Sequence, residues 1–121
     1  MKTILLVDDE YAIVEVLAML LADEGFAVLT ASDGNHALEV LHKSPPDVVI
    51  TDQMMPLVSG SDLFRSMLKK PELRQIPVVL MSSAVPSAAS AGLPWAKILR
   101  KPFDFDDLVA WLRKQTHPAK R

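Results

Sequence analysis

The sequence predicts an α/β fold, a doubly wound sheet of five parallel strands with helices on both faces. Three observations carry this. Short β-rich runs alternate with stretches of helical periodicity along the whole 121-residue chain. One run, Val48-Val49-Ile50-Thr51, shows no polar alternation, which marks a strand covered on both sides. The runs also end on residues able to do chemistry: Asp8 and Asp9, Asp52, Ser82 and Lys101.

Taken in order, Thr3 to Val7 is an uninterrupted apolar run that stops at Asp8-Asp9-Glu10, a first buried strand. Tyr11 to Glu24 has helical spacing, with Ile13, Leu17, Leu20 and Leu21 on its expected inner face and Gly25 as C-cap. Val14, Val16 and Met19 widen its apolar arc beyond what one sheet face needs. Phe26 to Ala31 is the second strand. Ser32 and Asp33 are N-cap candidates for a helix through Lys43, with Ala37, Leu38 and Leu41 inward. After Pro45-Pro46 comes the strand from Asp47 to Asp52, which Pro56 prevents from continuing because it has no N–H for a ladder. Gly60 opens a helix burying Leu63, Phe64, Met67 and Leu68, broken by Pro71. Ile76 to Met81 is the fourth strand. The stretch from Ala84 to Trp95 carries Pro86, Gly92 and Pro94, so a helix there is short and weak. Ala96 to Arg100 is the fifth strand. Asp104 caps a last helix with Phe105, Leu108, Val109 and Leu112 inward and Trp111 off that stripe.

This length fits one domain, expected over residues 1–116 with a short basic tail over 117–121. A net charge of −2 gives no electrostatic case for direct nucleic-acid binding. The absence of Cys excludes disulfides and thiolate metal sites. The apolar run in MKTILLVDDE ends at Val7, too short for a signal-peptide core, so a cytoplasmic protein with no membrane partner is expected.

Right-handed crossovers bring the C-terminal ends of parallel strands to one edge, where open α/β sheets bind ligands. Asp8, Asp9, Asp52, Ser82 and Lys101 all follow strands at that edge. Two like charges about 4 Å apart repel by roughly 4 kcal/mol at an effective dielectric near 20. Lys101 offsets part of this, and a hard divalent cation is the natural complement. Oxygen-only ligation suits Mg²⁺. Asp52 is then a nucleophile needing no base at neutral pH. Lys101 and the Ser82 hydroxyl are placed to stabilise phosphoryl oxygens.

The acidic pair in LLVDDE, ASDGNHALEVL, TDQMMPLVSG, IPVVLMSSA and KPF, in this order and spacing, resemble a response regulator receiver domain of two-component signalling over nearly the whole chain. The resemblance implies a flavodoxin-like (βα)5 fold with strand order 2-1-3-4-5, from which this chain departs in a fourth helix degraded by Pro86, Gly92 and Pro94. It implies that Asp52 is the phosphoacceptor, served by a sensor histidine kinase or a histidine phosphotransfer protein. Asp9, Asp52 and the backbone carbonyl of Met54 would bind Mg²⁺ directly, with Asp8 acting through water. Ser82 takes the Ser/Thr switch position and Lys101, before a cis Pro102, that of the essential lysine. The family's second switch residue is usually Tyr or Phe; here it is Ile98. Ser83 stands where a small Ala is usual. Met54 and Ala84, at positions that tune phosphoryl lifetime, cannot position a water, which implies slow self-dephosphorylation. The output expected is an altered contact with a downstream protein.

Other readings compete with these. Asp8-Asp9 also suits a helix N-cap pair, Ser82 a turn, and the three histidines suit the surface. Trp95 and Trp111 are packing residues or partner anchors. A receiver that has lost phosphorylation and acts only as an interaction module is one rival, and a receiver cut from a longer regulator or hybrid kinase is another. A phosphatase using an aspartyl-phosphate is disfavoured, since Met54 stands where a general acid would be needed. A nucleotide-binding domain is disfavoured because no G-x-G-x-x-G follows the first strand.

Overall fold

The computed structural model describes residues 2–55, 57–82 and 92–115. Its elements run β1 (Thr3–Val7), α1 (Tyr11–Asp23), β2 (Ala27–Ala31), α2 (Gly34–Lys43), β3 (Val48–Asp52), α3 (Gly60–Leu68), β4 (Val78–Ser82), β5 (Lys97–Arg100) and α4 (Phe105–Gln115). All strand pairs are parallel, and the five-stranded sheet has the order β2-β1-β3-β4-β5. Fold class and strand order are therefore those expected. Most of the stretch between β4 and β5, including Ser83, Ala84 and Pro86, lies outside the described residues, as do Pro56 and the tail. The described end of the expected weak helix, Gly92 to Trp95, is turn and irregular chain.

The sheet divides the core in two. Ile4, Leu6, Ile50, Val79 and Met81 point toward α1 and α4, where they meet Val14, Leu17, Leu21, Leu108 and Leu112. Leu5, Val7, Val49 and Val78 point the other way, toward Ala37 and Leu41 of α2 and Leu63, Phe64 and Met67 of α3. Both faces of β3 are buried from end to end, which is why its sequence does not alternate. Trp95 packs on Phe64, ring centroids 4.7 Å apart, and fastens the entry to β5 against α3. Trp111 lies beside its helix's inner stripe but is partly buried against the α1 and α4 core.

One helix face differs from expectation. In α1 the buried residues are Val14, Leu17 and Leu21, while Ile13 and Leu20 are each 41% exposed. Nearly every position of this helix is apolar, so periodicity alone leaves its rotation open. The sheet selects the stripe that sets Ala18 beside Val14 and Leu21 on the inner cluster. Tyr11, Val16 and Met19 remain on the surface.

The helix ends follow capping chemistry. Asp33 caps α2 by accepting from the His36 N–H at 2.8 Å. Gly25, after α1, takes φ +98°, a conformation glycine adopts without steric cost. Ser59 and Asp62 form a reciprocal capping box on α3.

Candidate functional site

The C-terminal ends of β1, β3 and β4 and the chain leaving β5 converge on one pocket. Its positions follow from register. Val7 lies beside Thr51, so Asp8 and Asp52 end neighbouring strands. Asp52 pairs with Met81, which sets Ser82 one step beyond it, and Ser82 pairs with Arg100, just before Lys101. Carboxylate oxygens of Asp8, Asp9 and Asp52 lie within 4.8 Å of one another. Asp8 and Asp52 are buried and Asp9 is exposed. The Lys101 Nζ stands 3.4 Å from Asp52 Oδ1, 3.7 Å from Asp8 Oδ2 and 4.0 Å from Glu10 Oε1. The Lys101 N–H also donates to the Ser82 carbonyl at 2.8 Å, and the Lys101–Pro102 peptide is cis.

Burial is the main force raising the Asp52 carboxyl above its ordinary range. The charge and hydrogen bond of Lys101 oppose it without cancelling it. Asp8 is raised for the same reason, opposed by the Glu10 N–H and by Lys101, and raised further by the charge of Asp52. Asp8 Oδ1 accepts the Glu10 N–H at 2.9 Å, so the residue does brace the start of α1. Its other oxygen, Oδ2, is buried without a hydrogen-bond partner among the described residues, since 3.7 Å to Lys101 is an ion pair only. A buried, unsatisfied oxygen beside two more carboxylates fits a hard, oxygen-seeking cation. The donor set suits Mg²⁺.

Two predicted positions remain. Met54 lies on the loop after β3 with a side chain 76% exposed. Ile98 sits in the middle of β5, in register with Leu80, and its exposed side chain belongs to the sheet edge rather than to the pocket.

Several supporting residues were not anticipated. Glu10 reaches Lys101. Gly60 abuts β3 so closely that a Cβ there would stand 2.4 Å from the Asp52 carbonyl oxygen. Gln53 Oε1 accepts from the N–H and the hydroxyl of the buried Ser61, both at 2.9 Å. The Ser59-x-x-Asp62 pattern was a readable signal for the α3 cap. The Gln53–Ser61 contact had none, because it joins residues eight apart across a loop.

Two hollows flank the pocket. An apolar groove of about 630 Å³ is lined by Ala12, Ile13, Val16, Met81, Pro102 and Phe103, with Lys101 at its rim. A second, of about 440 Å³, lies between α1 and the end of β2 beside Asp8 and Asp9.

Comparison with known proteins agrees with this architecture. Residues 4–113 match the family model for the response regulator receiver domain. Among solved structures, the chain resembles the response regulator TrrA of Thermotoga maritima, described in complex with Mg²⁺–BeF, at 32% identity and TM-score 0.84, covering 95% of this chain and 99% of that one. It resembles the chemotaxis protein CheY4 of Vibrio cholerae at 26% identity and TM-score 0.85, covering 94% and 98%. The receiver domain of a signal transduction histidine kinase from Syntrophus aciditrophicus matches at 26% identity and TM-score 0.91, covering 100% and 94%.

Proposed function

This chain belongs to the response regulator receiver domain family, and from that premise we propose that it is a phosphoacceptor switch whose acceptor is Asp52. An Asp52 carboxylate oxygen attacks the phosphorus of a phosphohistidine on a sensor kinase or phosphotransfer protein. The phosphorus–nitrogen bond breaks and its electron pair returns to the imidazole. Lys101 is placed to follow the charge onto the phosphoryl oxygens, and the Ser82 hydroxyl to donate to one of them. Asp9, Asp52 and the Met54 carbonyl would hold Mg²⁺, with Asp8 reaching it through water. When bound, the ion neutralises charge on the acids and the phosphoryl group.

The observation that carries this reading is the ammonium of Lys101 at 3.4 Å from Asp52, in a pocket where three carboxylates converge. The apolar groove beside Lys101 is the natural seat for the donor protein, because it opens next to the acceptor and presents Ile13, Val16 and Phe103. We place the protein in the cytoplasm, with a protein contact as its output. Among the described residues no helix is long and apolar enough to cross a membrane.

Incubation with acetyl phosphate and Mg²⁺ tests the reading. Intact-mass measurement should show the gain of one phosphoryl group, lost in Asp52→Asn and in EDTA. No gain in the wild type would overturn it in favour of an interaction module without phosphorylation. The exposed Met54 side chain has no group to hold a water against the acyl phosphate, so the phosphorylated form should decay slowly. Met54→Asn should speed that decay severalfold; unchanged decay would refute the assignment.

A further inference from the structure

The backbone that follows Asp52 is stapled to α3 by one side chain. The Gln53 carbonyl oxygen accepts from the Gly60 N–H at 3.1 Å. Gln53 Oε1 accepts twice more, from the Ser61 N–H and from the Ser61 hydroxyl. The Gln53 backbone N–H also favours the charged form of the Asp52 carboxyl. Of the four N–H groups that open α3, those of Gly60 and Ser61 are thus satisfied by Gln53, that of Asp62 by the Ser59 hydroxyl and that of Ser59 by the Asp62 carboxylate. The loop from Met54 to Ser59 is closed at its neck by these bonds, and the first carbonyl beyond the staple belongs to Met54.

We propose that Gln53 is a positioning residue for the metal site. By binding Ser61 it fixes the peptide between Asp52 and Met54, so that the acceptor carboxylate and the Met54 carbonyl face the same ion. The inference rests on the proposed function, which makes that carbonyl a ligand. The buried Ser61 hydroxyl gives the amide oxygen a second donor, and both bonds hold one rotamer of a side chain that would otherwise be free at the surface. Groups that orient metal ligands commonly change metal affinity by about tenfold or more when removed.

The test is Mg²⁺ titration by calorimetry at neutral pH on the intact chain, with thermal unfolding measured in EDTA. Gln53→Met keeps the length and apolar stem but has no acceptor, and should bind Mg²⁺ about tenfold more weakly than wild type. Gln53→Glu keeps an acceptor for both Ser61 donors and should retain at least wild-type affinity. A purely structural role would lower the melting temperature of Gln53→Met in EDTA and leave its Mg²⁺ affinity unchanged; that result, or equal losses in Met and Glu, overturns the proposal. If Gln53→Met does not fold, Ser61→Ala decides, since it removes one of the two donors and should weaken Mg²⁺ by a smaller factor without touching the acceptor loop. Absence of Mg²⁺ binding by the wild type is a separate outcome, which sinks the metal site itself and this inference with it.

Discussion

Single residues in this pocket carry costs that show as stability. Asp8 and Asp52 have folded-state pKa values above the ordinary 3.8. The folded chain therefore holds more protons than the unfolded chain from about that pH up to the raised values, and stability from these groups falls as pH rises through that window. Asp8→Asn removes one buried charge whose Oδ2 has no hydrogen bond among the described residues. It should melt about 3–6 °C higher than wild type in EDTA at neutral pH, the shift expected for roughly 1 kcal/mol in a domain this size. The gain should shrink as pH falls toward 4 in paired melting curves. Leu57 presents a different cost. It is 93% exposed and has φ +67°, a region where a side chain with Cβ is strained. Leu57→Asn should stabilise by about 0.5–1 kcal/mol in denaturant melts, because Asn tolerates that conformation better.

At the scale of elements, the join between β3 and α3 is the tightest. Gly60→Ala would push a methyl into the Asp52 carbonyl, and the backbone has to yield. It should cost about 1–3 kcal/mol in chemical unfolding and slow acetyl-phosphate labelling of Asp52. The outer face of α1 makes the complementary prediction. Ile13→Lys or Val16→Lys should leave acetyl-phosphate labelling intact while slowing transfer from a donor protein by roughly fivefold or more, as loss of a central apolar contact does. Equal labelling by both donors would clear α1 of that role. Local patterns revealed much of this scale: the β-branched run of β3, the Asp33 cap and the C-terminal glycine of α1 all act where their chemistry predicts. The rotation of α1 did not show in the sequence, since an all-round apolar helix takes its orientation from the sheet beneath it. The sheet order came from family resemblance, because hydrophobic runs do not state their neighbours.

Over the whole molecule, folding and the acidic pocket are linked by charge. The acids and Lys101 were legible as a set because each ends or follows a strand at one edge. The Gln53–Ser61 and Gly60 supports were not, since they exist only once a loop has closed. If Mg²⁺ binds the folded chain alone, it stabilises by about 2.7 kcal/mol at one hundred times its dissociation constant. The melting temperature should therefore climb with Mg²⁺ at neutral pH and respond less in mild acid, where protons compete for the same oxygens; a flat response at neutral pH would refute the linkage. The hydrogen bond from the Lys101 N–H to the Ser82 carbonyl has a mechanical corollary. The two side chains leave neighbouring strand ends that this bond ties together, so a shift in the backbone of either carries the other with it.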